Sequence, residues 1–410
     1  MILVERHNIK GTPEIIRLCM SSKELYNKCN YMMRKVWFKN VSNFIRDINS
    51  KFEPLPSISV LVEMTKNEKC FKHLHNTKTA KQTVRKVLTD WTIFKKMLNA
   101  YKKDPNKFIR KPKPPKYKKK MAQVIFYNET IKKKPLRNGI ITPTNRCFEI
   151  HSKQKQFKQI TITPKTFGFI IDVQYEKKIE KAKVSKKKIC CIDIGLNNLC
   201  AITSDQHFPI LVNGRILKSI NQWYNKRQSK KRSKKRYFRI ENYFHHVSKM
   251  IIQNCIKFGI GKIIIGKNNG WKQNINLGKK NNQAFCCVPI YRLLEKIQYK
   301  AKAVGIEVIF TEEAYTSKAS FFDRDPLPKW EKDVQPPKFS GRRVKRGLYR
   351  AKDGRLLNAD INGSANIGRK VIQNVAIMNR LDRSLAARPV VINPLKTIMY
   401  NDNSRLITQT

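Results

Sequence analysis

Carboxylates are scarce in this chain. Asp and Glu number 29 among 410 residues, so an acid in apolar surroundings stands out. Asp193 lies in Ile-Cys-Cys-Ile-Asp-Ile-Gly, a run apolar on both faces. A buried carboxylate with no partner costs several kcal/mol. Asp193 therefore calls for a cation, an ion-pair partner or a raised pKa. Gly195 and Asn197-Asn198 make the turn that follows, and a glycine there lets backbone come close. Asp360, in Leu-Asn-Ala-Asp-Ile-Asn-Gly-Ser-Ala-Asn, opens the last helix. Alone it could simply cap that helix and complement its dipole. Paired with Asp193 it is a candidate metal ligand.

The elements that must position these acids follow from periodicity. Residues 12–104 read as helical, with Ile15, Ile16, Cys19, Leu25, Tyr26 and Cys29 at three-to-four spacing and a second series, Val84, Val87, Leu88, Trp91, Phe94 and Leu98. Glu53-Pro-Leu-Pro-Ser is a loop between them, and Thr77 or Thr79 could cap the second helix. Residues 121–184 carry alternating strand signals separated by turns, which predicts a small β-barrel. From Lys187 onward the pattern is three short strands joined by turns, a helical stretch over 216–258, a strand at 261–266, a helix at 288–304, a strand at 306–311 and a helix from Asp360. That is the element order of a ribonuclease H-like fold. The last 35 residues show no period and are expected to form a loose tail.

Two-metal phosphodiester chemistry on such a fold needs a third acid, usually at the end of the fourth strand. Here that strand ends Ile-Ile-Ile-Gly266-Lys267, with no acid. The fifth strand ends Val-Ile-Phe-Thr-Glu312-Glu313. Neighbouring strands lie about 4.8 Å apart, so a Glu from strand five can reach over Gly266. Side chains alternate along a strand, so one of Glu312 and Glu313 faces the metals and the other meets solvent or a Lys.

The charge balance points to the partner. Lys plus Arg is 86, giving a formal net charge of +57. An excess of this size repels itself unless a polyanion neutralises it, and nucleic acid is the natural polyanion. No stretch reads as a membrane anchor or span. Residues 226–239 hold nine basic residues in fourteen and no acid. Lys226, Arg227, Lys230, Lys231, Arg232, Lys234, Lys235 and Arg236 are the candidate backbone contacts there, although a nuclear-localisation signal would read the same. Residues 102–120 carry ten basic residues and one acid. The prolines exclude a helix, leaving either a solvated linker or a strap that tracks a nucleic-acid backbone through Arg110, Lys111, Lys113 and Lys116, with Tyr117 stacking on a base. The N-terminal MILVERHNIKG has no apolar core of a secretory signal. None of the ten cysteines fits a paired CxxC zinc pattern, and most sit in apolar runs, as small buried hydrophobes in a reducing compartment would.

Several of these blocks together resemble one family. Asp193-Ile-Gly-Leu-Asn-Asn-Leu is similar to the first RuvC motif of the TnpB family, the transposon-encoded RNA-guided DNA endonucleases related to compact type V CRISPR effectors and to the Fanzor proteins. GKNNGWKQ (266–273) resembles the branch that lacks the strand-four Glu. In that branch the acid stands just before Tyr-Thr-Ser-Lys, which Glu312-Glu-Ala-Tyr-Thr-Ser-Lys-Ala-Ser matches. Asn358-Ala-Asp360-Ile-Asn-Gly-Ser-Ala-Asn-Ile resembles the third motif, and FSGRRVKRGLY (339–349) and KELYNKCNYMMRKVWF also resemble family members.

The resemblance implies a multidomain α+β protein. Residues 1–10 and 106–184 would form an oligonucleotide-binding-type β-barrel wedge domain and 11–105 a helical recognition domain. Residues 185–375 would form a RuvC nuclease, and 376–410 the tail. Many members carry a four-Cys zinc ribbon after the relocated Glu. Here an insertion at about 316–356 is expected without zinc. Asp193, Glu313 and Asp360, with Glu312 as the alternative to Glu313, would hold two Mg²⁺ ions (or Mn²⁺) about 3.5–4 Å apart. The partners would be a guide RNA transcribed from the transposon end and double-stranded target DNA beside a short flanking motif. Two alternatives stay open: a guided DNA-binding protein that does not cut, and a strand-joining transposase. The expected location is the cytoplasm, at the nucleoid, for a prokaryotic protein, or the nucleus for a eukaryotic or viral one.

Overall fold

The computed structural model describes residues 1–144, 146–268, 287–331, 335, 337–372 and 386–395, and the backbone of 398–400 and 406–408. Of the block at 266–273, residues 269–273 lie outside the described residues. The chain is a multidomain α+β protein that divides into two compact units, Met1–Lys178 and Ile179–Thr410. No helix among the described residues is long and apolar enough to cross a membrane.

The first unit begins with strand β1 (Ile2–Ile9) and helix α1 (Pro13–Arg46). Thr12 caps α1 by accepting the Ile15 N–H at 3.3 Å, and Pro13 takes the first helical position, where its missing N–H is harmless. Helices α2 (Ile58–Thr65), α3 (Lys69–Lys72) and α4 (Thr77–Lys103) follow. The cap of α4 is Asn76 rather than Thr77 or Thr79, because its side chain accepts the Lys78 N–H at 2.8 Å. Strand β2 (Val124–Tyr127), the short helix α5 (Lys133–Arg137) and the paired strands β3 (Ile140–Ile141) and β4 (Ile150–His151) lead to β5 (Gln159–Lys165) and β6 (Gly168–Glu176).

The expected barrel does not close. β1, β6, β5 and β2 form an open antiparallel sheet in that order, with β1 and β2 as its two edges among the described residues. Trp91 and Val87 of α4 and Cys19 of α1 share one core with Phe126, Ile160 and Ile162 of the sheet, since neither layer alone can cover its apolar face.

The second unit is a six-stranded mixed sheet. β7 (Ser185–Ile194), β8 (Asn198–Ser204) and β9 (Ile210–Asn213) are antiparallel neighbours. Helices α6 (Arg215–Lys226) and α7 (Lys230–Lys257) come next. The predicted single stretch over 216–258 is broken here, because Ser229 caps a new helix by accepting the Arg232 N–H at 3.2 Å. β10 (Ile260–Gly266) pairs parallel to β7, α8 (Ile290–Ala303) follows, and β11 (Glu307–Thr311) pairs parallel to β10. A small antiparallel sheet, β12 (Arg342–Lys345), β13 (Leu348–Arg350) and β14 (Leu356–Asn358), runs into α9 (Ala359–Val371).

Part of the expected loose tail is built into this sheet. β15 (Val390–Ile392) pairs parallel to β9 and buries Ile392 completely. Three residues are too few for a readable period, and the open edge of β9 supplies the ladder. β16 (Ile398–Tyr400) and β17 (Leu406–Thr408) form a separate antiparallel pair.

Alternation along β7 decides where Asp193 goes. Cys190, Ile192 and Ile194 pack with Phe244, Val247 and Ile251 of α7 and Leu293 and Ile297 of α8. Ile189 and Cys191 face the other way, into a second core with Ile361, Ala365 and Ile367 of α9. With a side-chain period of two, Asp193 falls on the α9 face.

Candidate active site

Asp193, Asp360 and Glu313 arrive on that face from a central strand, a helix start and a strand end. α9 is seated by its own polar residues. Ser364 Oγ donates to the Cys191 carbonyl at 2.9 Å, Asn362 Nδ2 donates to the Ala319 carbonyl at 2.8 Å, and Asn366 Nδ2 donates to the Thr316 and Ala319 carbonyls. All three side chains are fully buried. Gly363 then passes so close to Asp193 that a Cβ there would stand 2.6 Å from Oδ2. The Asn-Gly-Ser-Ala-Asn run is thus a docking surface for strand β7 and the loop after β11.

Asp360 does not cap α9. Asn358 does, accepting the N–H groups of Asp360 at 3.0 Å and Ile361 at 3.3 Å. That leaves the Asp360 carboxylate free to turn toward β8, where Asn198 Nδ2 donates to Oδ2 at 2.7 Å. Arg343 of β12 lies 3.6 Å from Oδ1.

The two neighbouring glutamates, just past the end of β11, point apart. Lys370, whose side chain is 5 % exposed, holds Glu312 at 2.7 Å. Glu313 turns over Gly266: a Cβ on Gly266 would meet Glu313 Cγ and Oε1 at 2.7 Å and Ile367 Cδ1 at 2.6 Å. Asn268, just past the end of β10, donates from Nδ2 to Glu313 Oε2 at 3.2 Å and accepts the Glu313 N–H at 2.8 Å. Glu313 Oε1 is buried without a hydrogen-bond partner among the described residues.

The electrostatics link the three acids. Burial pushes the Asp193 carboxyl up to about 7, and the nearby Asp360 charge adds to the rise. Burial also raises Glu313 to about 8, with Asp193 adding to it. In both, burial is the first cause and a neighbouring carboxylate the second. Among the described residues, no three His, Cys, Asp or Glu side chains are drawn together tightly enough to hold an ion as they stand. The donor chemistry still suits a hard divalent cation: oxygen ligands only, mutual repulsion to relieve, and one buried orphan oxygen in Glu313 Oε1.

The cationic candidates fall into two groups. Lys226, Arg227, Lys230, Lys231, Lys234 and Lys235 are exposed. Arg232 and Arg236 instead join α7 to α6. Arg232 donates to the Trp223 carbonyl at 3.0 Å and lies over that ring, and Arg236 donates to Asn221 Oδ1 and the Cys287 carbonyl, each at 2.7 Å, beside the Tyr224 ring. In the first unit, the 102–120 segment is tied to α1 through Asn30 and Arg34, which donate to the Pro115 carbonyl, and through Asn27, which exchanges hydrogen bonds with Lys118. Arg110, Lys111, Lys113, Lys116 and Tyr117 remain exposed, with Arg34 5.4 Å from the Tyr117 ring centre.

Asn198, Asn268 and Arg343 were not singled out from the sequence as site residues. Asn198 stands four residues past the end of β7, whose acid drew attention, and Asn268 two past the end of β10, whose missing acid did, the one signal that could have found them.

A family profile described as Cas12f1-like, TNB domain, matches residues 291–367. That segment contains Glu313 and Asp360 but not Asp193. No curated protein matches the chain. Solved structures similar to it include two complexes. One is described as a cryo-EM structure of the Cas12f1-sgRNA-target DNA complex, 13 % identical, covering 91 % of this chain and all of that one, with a TM-score of 0.32. The other, described as a cryo-EM structure of a CRISPR-Cas12f ternary complex, is 15 % identical and covers 86 % of this chain and 80 % of that one, with a TM-score of 0.29.

Proposed function

We propose that this protein is an RNA-guided DNA endonuclease of the TnpB and compact type V kind. What supports the reading is that Asp193, Glu313 and Asp360 lie on the same face of one sheet, the face covered by α9. The strand order, β11-β10-β7-β8-β9 with β8 antiparallel, is the ribonuclease H-like order. The Cas12f1-like match over 291–367 and the +57 charge support the same reading.

Asp193, Glu313 and Asp360 would hold Mg²⁺, with Mn²⁺ accepted. Bound there, divalent ions supply an activated water and stabilise the leaving 3′-oxygen. The protein's own groups prepare the pocket. Asn198 fixes the Asp360 carboxylate, and the close pass of Gly363 shields Asp193. The exposed lysines of α6 and α7 and the strap residues Arg110, Lys111, Lys113 and Lys116 bind phosphates, where each neutralised charge releases a counterion. A guide RNA transcribed from the transposon end pairs with the target strand, while the protein reads duplex shape and a short flanking motif.

The test is plasmid cleavage by the full chain with its copurified RNA and Mg²⁺. Cleavage that requires a sequence matched to that RNA and disappears in Asp193→Ala is expected. Cleavage surviving Asp193→Ala would overturn the site. That no three metal-ligating side chains are gathered into one cluster among the described residues favours one rival, a guided binder that does not cut. Guide-dependent DNA binding by the wild-type chain with no product at any Mg²⁺ or Mn²⁺ concentration would establish it. Joined rather than hydrolysed ends would indicate strand transfer.

A further inference from the structure

We propose that Asn268 is a positioning residue: its carboxamide clamps Glu313 over Gly266 and leaves a single carboxylate oxygen to face a metal ion. The inference rests on the reading of Glu313 as a metal-holding acid, and it concerns how an acid that does not belong to strand β10 is kept above that strand.

The two strand ends are held in register beyond the sheet proper. The Lys267 N–H donates to the Thr311 carbonyl at 2.7 Å, which sets Asn268 beside Glu313. From there each end of the carboxamide has a task. Its oxygen accepts the Glu313 N–H at 2.8 Å, and its NH₂ donates to Glu313 Oε2 at 3.2 Å. Thr316 completes the arrangement, its Oγ1 donating to the Glu313 carbonyl at 2.9 Å. The N–H, the C=O and Oε2 of Glu313 are therefore all engaged, and Oε1 is buried without a partner among the described residues.

A carboxamide suits this position because it carries a donor and an acceptor on one planar group. An Asp would lack the donor and add a negative charge, and an Ala would offer neither contact. An acid rooted in β10 itself would have its direction set by the strand. Glu313 lies two residues past the last residue of β11, Thr311, and has no such constraint.

The test titrates Mn²⁺ into the full-length protein and follows free Mn²⁺ by electron paramagnetic resonance, alongside Mg²⁺-dependent cleavage. Partners that orient a metal's ligands typically contribute about 10- to 100-fold in metal affinity. Asn268→Ala is expected to weaken Mn²⁺ binding by that factor and to raise the Mg²⁺ needed for half-maximal cleavage in parallel. Its rate at saturating Mg²⁺ should stay within a few fold of wild type. Asn268→Gln keeps both polar groups one methylene further out, is expected to lose less, and carries the test if the Ala variant does not fold.

Wild-type Mn²⁺ affinity in a folded Asn268→Ala, even with a lowered melting temperature, would reduce the residue to a structural role and overturn the proposal. Glu313→Ala separates the two levels. If it abolishes Mn²⁺ binding while Asn268→Ala does not weaken it, only the clamp is lost. If Glu313→Ala itself binds Mn²⁺ like wild type, the proposed site falls and the clamp falls with it.

Discussion

Gly266 is the position at which the geometry can be challenged with one methyl group. A Cβ there would stand 2.6 Å from Ile367 Cδ1 and 2.7 Å from Glu313 Cγ and Oε1. Ordinary carbon contacts lie at about 3.5–4.0 Å, so something must retreat by about 1 Å. Ile367 is fully buried in the core beneath α9, and close-packed interiors resist such shifts. The side chain of Glu313 reaches in from a loop and is the part that moves. A misplacement of about 1 Å at a reacting centre can cost about 100-fold in rate, whereas overpacking of this kind destabilises by about 1–3 kcal/mol. Gly266→Ala is therefore expected to remain folded in a thermal melt and to cleave target DNA about 100-fold more slowly. The assay is the initial rate of guide-dependent cleavage across a Mg²⁺ series. Adding Ile367→Val removes the closest contact and should recover part of the rate. Wild-type rate and Mg²⁺ dependence in Gly266→Ala would refute the reasoning, since Glu313 could then not depend on the space above that glycine.

Glu313→Ala is expected to abolish cleavage. Glu312→Ala should cleave normally but melt at a lower temperature, because it strips Lys370 of its carboxylate; the reverse pattern in rate would show that the neighbours exchange roles. In chelator, stability should fall as pH rises. The folded-state values of Asp193 and Glu313, about 7 and about 8, lie above the ordinary 3.8 and 4.5, so the folded state binds more protons than the unfolded one between about pH 4 and 8. Melting temperatures that drop across this window in wild type and drop less in Asp193→Asn are expected, and a rise from pH 5 to 8 that depends on Asp193 would contradict the sign. On α7, Lys234→Ala and Lys235→Ala should each weaken RNA or DNA binding regardless of sequence and reduce the log–log salt slope by about 1. Arg236→Ala should mainly lower the melting temperature, as it leaves Asn221 Oδ1 and the Cys287 carbonyl without their donor; unfolding and filter-binding measurements separate the two effects.

Much of the second unit could be read in one dimension. Apolar runs of strand length, separated by turns and long helical periods, define an element order with few alternatives, and an acid inside such a run has few explanations. The first unit was harder. Its sheet joins β1 to strands that lie beyond the helices in sequence, and nothing local says that β1 and β2 stay unpaired with each other or that α4 covers the sheet. The basic run at 226–239 illustrates the limit within a single helix pair. Composition cannot tell Lys234, which is exposed, from Arg236, which binds Asn221 and the Cys287 carbonyl.

By itself, the sequence determined which acids are unusual, which strand lacks one, that Asp193 shares a face with Cys191, and that the chain is strongly cationic, because residue type and the two-residue period of a strand are local properties. Only the tertiary structure decided that Glu313 lies over Gly266, that Asn358 takes the capping role from Asp360, that Asn268 and Asn198 grip the acids, and that 390–392 complete a sheet edge. Each of those depends on which elements pack together, and packing is settled by chain segments far apart in sequence.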